Sequence, residues 1–231
     1  MRLKRLSFHC VIHFWRIYKI MKIIDTCVIL CGGESKRLKN KNGESKIFLP
    51  FGEKSLVAYN FEKMKEIFPK VFISCKESQK DSIKKSLQNS QNSKKYDSSD
   101  IFIIESDEAF APIFGIYNAL KKLFDDFKSE KIFFISCDCP LIKPKTIDIL
   151  CKNASDYDVI FAKDSKHLHH LVGVWSASML KNLQKALQNN DFKLLDLHKV
   201  ASTKSIYFEE TEFLNINTKS DYKNALALLG L

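Results

Sequence analysis

The chain has 231 residues, is 45% hydrophobic with 18 phenylalanines, and carries a formal charge of +10. That is ample apolar material for one α/β domain or two small ones, and no apolar run approaches the ~20 residues of a membrane span. The basic residues are scattered rather than interleaved with exposed aromatics, which argues against a nucleic-acid surface and leaves an anionic small substrate as a natural fit for the charge.

Residues 1–20 contain Arg2, Lys4, Arg5, Arg16 and Lys19 and no acid, so they hold five of the ten excess charges. His13, Arg16 and Lys19 interrupt their apolar part and no small-residue cleavage site follows, so they are a poor signal peptide. Met21 stands directly before the first strand pattern. The expectation is a non-native or disordered extension over residues 1–20 and a single domain over residues 21–231. The seven cysteines include no C-x-x-C pair and lie mostly in apolar runs, which predicts buried reduced thiols and a cytoplasmic setting.

Strand-like runs then alternate with helical patterns, the mark of an α/β fold with a mostly parallel sheet. The first strand is predicted over Lys22 to Cys31, a helix over Ser55 to Phe68, and a second strand over Val71 to Cys75. A weak helix near Lys80 to Leu87 leads into a polar loop. A third strand is predicted over Ile101 to Ile104, the clearest helix over Ile113 to Phe127, and a fourth strand over Lys131 to Cys137. Ile132-Phe133-Phe134-Ile135 is apolar at every position, as a strand covered on both faces requires. Beyond it, Thr146 to Cys151, Ala177 to Leu187, Phe192 to Val200 and Ser220 to Leu229 read as helices. Tyr157 to Ala162, Leu171 to Trp175, Ser205 to Phe208 and Phe213 to Ile216 read as strands.

Three strand ends carry candidate chemistry. The first strand ends in Leu30-Cys31-Gly32-Gly33, followed by Ser35, Arg37 and, after a polar stretch, Lys46. Two glycines let the backbone approach a bulky ligand, and a basic loop behind them suits a triphosphate. The pattern is neither G-x-G-x-x-G nor G-x-x-x-x-G-K-[ST]. The second is Cys137-Asp138-Cys139-Pro140, where Asp138 reads either as a helix N-cap or as a carboxylate for Mg²⁺, with Pro140 disfavouring the cap. The third is Glu105-Ser106-Asp107 with Pro112-Ile113-Phe114-Gly115 beyond it. Asp107 would lie beside Asp138 if their strands were neighbours. Near the C-terminus, Asn215 and Asn217 fall on one face of a period-two strand, suited to a polar ligand or to capping the last helix.

Together these segments resemble the molybdenum cofactor guanylyltransferase family. The resemblance runs from about Cys27 to the C-terminus and rests on several motifs. They are Leu30 to Arg37, Lys46, Asp107, Pro112 to Gly115, Cys137 to Pro140, His169 to Trp175, and Asn215 to Thr218. The chain departs from the family pattern at Leu38-Lys39 after the arginine, at His170 in His-x-Leu, and at Lys219 after Asn-Thr.

The resemblance implies a three-layer Rossmann-like nucleotidyltransferase fold. It also implies GMP transfer from GTP to the phosphate of molybdenum–molybdopterin. Leu30, Cys31, Gly32, Gly33, Ser35 and Lys46 would bind the nucleotide, Ser74 and Asp107 would touch guanosine, and Asp138 would hold Mg²⁺. Arg37, Lys46 and Asp138 would be catalytic. The C-terminal half, with His170, Asn215 and Asn217, would face the pterin. Transient contacts with cofactor-synthesis proteins and apo-molybdoenzymes follow from such a role; nucleic acid and membrane do not. A nucleotidyltransferase with another acceptor, such as a sugar phosphate or a cytidylyl-type cofactor enzyme, and a non-catalytic cofactor carrier are the competing readings.

Overall fold

The structure, a computed structural model, describes residues 24–33, 38, 45–89, 101–105 and 111–231. The expectations for residues 1–20 and Met21, and for Ser35, Arg37 and Asp107, lie outside the described residues.

The elements follow the alternation expected from the sequence. Strand β1 (Thr26–Leu30) is followed by a short hairpin of β2 (Pro50–Phe51) and β3 (Lys54–Ser55). Next come α1 (Leu56–Lys65), β4 (Lys70–Lys76), α2 (Glu77–Gln88), β5 (Phe102–Glu105), α3 (Pro112–Phe127), β6 (Lys131–Ser136) and α4 (Pro144–Lys152). The remaining elements are β7 (Val159–Lys163), β8 (Leu168–Ser176), α5 (Leu180–Gln188), β9 (Thr203–Tyr207) and α6 (Lys219–Leu229). Helix starts are written locally. The Ser55 hydroxyl accepts from the Ala58 N–H, Pro112 and Pro144 sit at first helical positions, and Thr218 with Asp221 forms a capping box on α6.

Seven strands form one sheet in the order β5-β4-β1-β6-β8-β7-β9. Strands β5, β4, β1 and β6 pair in parallel, as do β7 and β9, while β8 runs antiparallel to both β6 and β7. Period two sorts the side chains onto two faces. Cys27, Ile29, Phe133 and Ile135 join a core with α1, α2 and α4, whereas Val28, Leu30, Ile132 and Phe134 join a second core with α3 and α5. The layers are therefore helix, sheet, helix, and the all-apolar run of β6 is buried from both sides, as its sequence predicts.

Three expectations change. Phe213 to Ile216 is not a strand: a 3-10 turn covers Glu210–Phe213, and the chain then runs extended without joining the sheet. Phe192 to Val200 is reduced to a 3-10 segment over Leu194–Lys199. The hairpin at residues 50–55, with Gly52 at φ 66°, had no counterpart in the reading of the sequence. Among the described residues no helix is long and apolar enough to cross a membrane.

Candidate functional site

The chain leaves β1 toward β4 on one side and returns to β6 on the other. The gap between β1 and β6 is thus the point where strand order reverses, and ligands of open α/β sheets sit outside the carboxyl ends of the strands there. Both strong candidates emerge at this point. Gly32 and Gly33 follow β1 and Asp138 follows β6, with the Cys137 N–H donating to the Leu30 carbonyl at 3.0 Å to tie the two ends together.

Lys46 comes from a 3-10 turn (Lys46–Phe48), 92 residues before Asp138. Its Nζ donates to Asp138 Oδ2 at 2.6 Å, to Asn217 Oδ1 at 2.8 Å and to the Ile216 carbonyl at 2.9 Å. The other Asp138 oxygen accepts from the Ser136 hydroxyl at 2.6 Å. Both charged side chains are only about one-sixth exposed, at 15% and 17%, so their attraction is weakly screened by solvent. Asp138 does not cap a helix; α4 begins at Pro144.

The turn that carries Asp138 is braced from α1 and from the C-terminal segment. The Asn60 amide donates to the Cys137 carbonyl at 2.9 Å, Lys63 Nζ donates to the Pro140 carbonyl at 2.7 Å, and the Ile216 N–H donates to the Asp138 carbonyl at 2.9 Å. Burial holds the Lys63 ammonium down to about 8, against a smaller upward pull from Glu212. Asn215 Oδ1 accepts from the Cys139 thiol at 2.7 Å. Asn215 and Asn217 therefore reach the site without the strand that was expected to carry them.

Two cavities flank the ion pair. A small one, about 120 Å³, is lined by Leu30, Gly32, Gly33, Glu105, Pro112 and Ser136. A Cβ on Gly33 would meet nothing within 4 Å among the described residues, which leaves space at the glycine turn for a ligand. A larger cavity, about 980 Å³, includes Asp164, His169, Phe213, Asn215 and Asn217 in its lining. His169 Nε2 lies 2.8 Å from Asp164 Oδ2, and the ring stacks on Phe213 with centroids 4.4 Å apart. Burial tends to raise the Asp164 carboxyl, but the N–H groups of Lys166 and His167, with His169, outweigh it and hold the carboxyl at about 2. The histidines that line this cavity are His167 and His169, not His170, whose ring packs on Phe161.

Ser74 is fully buried and donates to Glu105 Oε1 at 2.7 Å, which places it behind Glu105 rather than on the lining of the small cavity. β5 and β6 are not neighbours. β4 and β1 stand between them, so strand order gives no adjacency between the Asp107 and Asp138 loops. Reading the sequence missed Asn60 and Lys63, and it named Glu105 only as part of a segment, with no role of its own. Asn60 and Lys63 looked like ordinary helix positions. Glu105 stood in a run of loop acids, though its place directly after Phe102-Ile103-Ile104 marked it as a strand residue.

The oxygen donors of Asp138, Ser136 and Asn217 suit a hard divalent cation. Among the described residues no three His, Cys, Asp or Glu side chains gather as a metal cage, so such a cation would take its other ligands from phosphate and water.

A sheet of this order, with a glycine turn, a lysine and an acid converging at the switch point, has the layout of a nucleotide site, and the family match makes it a nucleotidyltransferase. Residues 27–201 match the MobA-like NTP transferase domain family. The molybdenum cofactor guanylyltransferase of Helicobacter pylori G27 is 34% identical over 213 residues, covering 90% of this chain and 95% of its own. The molybdopterin-guanine dinucleotide biosynthesis protein A from Archaeoglobus fulgidus shares the fold with a TM-score of 0.67, at 19% identity over 89% of this chain and 98% of its own. The Rv0371c protein of Mycobacterium tuberculosis H37Rv, solved in complex with manganese, shares it with a TM-score of 0.63, at 15% identity over 87% and 97%. This chain belongs to the molybdenum cofactor guanylyltransferase family.

Proposed function

We propose that this enzyme transfers GMP from GTP to the terminal phosphate of molybdenum–molybdopterin, releasing pyrophosphate. The observation that carries the assignment is the position of the Lys46–Asp138 pair. Asp138 is bonded to Ser136, which lines the small cavity, and Lys46 to Asn217, which lines the large one. A nucleotide seated at the glycines and an acceptor seated in the large cavity would meet at the two charges.

In that arrangement an oxygen of the acceptor phosphate attacks the α-phosphorus, a new P–O bond forms, and the bond to the β-phosphate breaks with its electron pair leaving on pyrophosphate. No protein nucleophile is needed; rate comes from placement and charge. The arriving triphosphate competes with Asp138 for the Lys46 ammonium, which then lies against the charge that grows on the leaving group. Arg37, by its position in the family motif, adds a planar fork to the same oxygens. Leu30, Cys31, Gly32 and Gly33 give the nucleotide a close backbone wall, and by their positions in the family motifs Ser35 would bind the nucleotide and Asp107 would touch guanosine. Asp138 would hold a divalent cation, with Mg²⁺ as the physiological choice; when bound, that ion neutralises phosphate charge. Asn215, Asn217 and His169 face the acceptor.

The test is pyrophosphate release and product mass with each of the four nucleoside triphosphates, with and without molybdopterin. Release with GTP that depends on molybdopterin and yields the guanine dinucleotide is expected. Better turnover with CTP or UTP, or with a sugar phosphate as acceptor, would replace the assignment. Tight binding of both substrates with no release at all would make the protein a cofactor carrier.

A further inference from the structure

Helix α1 is tied to both halves of the Lys46–Asp138 pair. At its start the Leu56 N–H donates to the Leu49 carbonyl at 2.9 Å, and the Leu49 N–H donates to the Lys46 carbonyl at 3.1 Å. Further along, two side chains at a helical spacing of three reach the Cys137-Asp138-Cys139-Pro140 turn. The Asn60 amide donates to the Cys137 carbonyl at 2.9 Å and Lys63 Nζ donates to the Pro140 carbonyl at 2.7 Å. The Ile216 N–H holds the Asp138 carbonyl at 2.9 Å, and within the turn the Cys139 N–H donates to the Ser136 carbonyl at 3.1 Å. Asp138 therefore projects from a backbone that is fixed on both sides of it.

Stability does not account for Asn60. It is fully buried in α1 alongside Leu56, Phe61 and Met64. Its Nδ2 faces two carbonyls, Leu56 at 3.0 Å and Cys137 at 2.9 Å, which fixes the orientation of the amide. Oδ1 is left buried with no hydrogen-bond partner among the described residues. A buried acceptor left unpaired is a cost to folding. A leucine at this position would continue the apolar face of α1 without that cost, at the loss of the bond to Cys137. What asparagine adds, and leucine cannot, is a fixed direction for the Cys137 carbonyl and so for the peptide that leads into Asp138.

We propose that Asn60 and Lys63 are positioning residues for Asp138, through which α1 sets the direction of the carboxylate relative to Lys46. Neither side chain touches substrate, and their contribution is to rate rather than to fold stability. The proposal rests on the reading of Asp138 as the anchor for positive charge. A carboxylate aimed in advance needs no reorganisation as charge develops, and misplacing such a group by about 1 Å costs about 10²-fold in rate.

The experiment compares wild type, Asn60→Leu, Asp138→Asn and the double variant, all as full chains. Three quantities are measured: pyrophosphate release with GTP, molybdopterin and Mg²⁺; the urea midpoint; and backbone amide hydrogen exchange of the free protein. Asn60→Leu should lower kcat tenfold or more and leave KM for GTP within twofold, with a urea midpoint close to that of wild type. Exchange at the Cys139 amide should quicken tenfold or more while the β6 amides stay protected. In the Asp138→Asn background the same leucine change should lower kcat less than twofold, because the group it positions has lost its charge.

A folded Asn60→Leu enzyme with kcat within twofold of wild type, or with the same loss in both backgrounds, would overturn the proposal. If that variant does not fold, Lys63→Met decides by the same criteria, since it keeps the apolar stem and drops the bond to Pro140. A wild type that releases no pyrophosphate, or an Asp138→Asn enzyme as fast as wild type, would instead break the reading of the site itself. The exchange measurement separates the two failures: an unchanged rate at Cys139 overturns the brace in either case.

Discussion

Replacing Asp138 by asparagine removes one charge and almost nothing else. The side chain keeps its size. Its amide oxygen still accepts from Lys46 Nζ and its amide nitrogen still donates to the Ser136 oxygen, so both 2.6 Å contacts survive in neutral form. Lys46 also keeps its bonds to Asn217 and Ile216. The loss of stability should then be that of a charge-assisted hydrogen bond reduced to a neutral one, about 1 kcal/mol. The reaction loses far more, because the carboxylate is the anchor for positive charge against the triphosphate. Removing one preorganised electrostatic group of this kind costs about 3–4 kcal/mol of barrier, or two to three decades in rate. Asp138→Ala should lose at least as much rate, since it also leaves the Ser136 hydroxyl and one side of Lys46 without their partner. The assay is continuous pyrophosphate release with GTP and molybdopterin, run beside a urea melt of each variant. A folded Asp138→Asn protein within threefold of the wild-type kcat/KM would refute the electrostatic role given to this residue.

Stability should fall at alkaline pH. Burial raises the Cys27 and Cys139 thiols well above their ordinary value and lifts Cys75 to about 12, while a bond to Cys137 together with burial raises Cys31. These are acids with raised folded values, so above about pH 8.5 the unfolded chain loses protons that the folded chain keeps, and each thiol costs up to about 1.4 kcal/mol per pH unit. Lys63, depressed to about 8 by burial, works in the opposite sense between about pH 8 and 10.4, as does Lys131, also lowered by burial, but the thiols, with buried Cys151 raised as well, outnumber them. Urea midpoints at pH 9.5 should lie below those at pH 8; equal midpoints would contradict the burial of the thiols. Gly173→Ala should unfold the protein or cost about 3 kcal/mol or more. Its Cβ would lie 2.0 Å from the Ile160 carbonyl oxygen and 2.7 Å from the Phe161 Cα, both backbone atoms of β7 that cannot turn aside. Gly33→Ala, whose Cβ meets nothing within 4 Å among the described residues, should leave the melt unchanged and is the matched control.

Much of the fold was legible because local signals agree with the global arrangement. The unbroken apolar run of β6, the stripe of α3 with Pro112 at its start, and Gly32-Gly33 at a strand end all read correctly from spacing alone. Lys46 and Asp138 were legible as a lysine after the glycine turn and an acid after the central strand. That they touch is a consequence of strand order, which spacing does not encode. The segment after Phe213 misled because alternating apolar and amide residues imitate a strand. Here the Ile216 N–H and carbonyl serve Asp138 and Lys46 instead of a ladder. Glu105 was named in a candidate segment, but its burial was not legible. That burial depends on glycines 73 residues before it and 10 after it, neither of which advertises a carboxyl partner. Gly173 appeared only as part of a family motif, and its cause is the close approach of the paired β7 backbone beside an irregularity at Phe161 and Ala162.

The most direct measurement is a crystal structure with a non-hydrolysable GTP analogue and Mg²⁺. The triphosphate should lie at the ends of β1 and β6, with Lys46 on its oxygens and Asp138 on the cation. A polyphosphate bound elsewhere, out of reach of both Lys46 and Asp138, would contradict the shared site on which the catalytic reading depends.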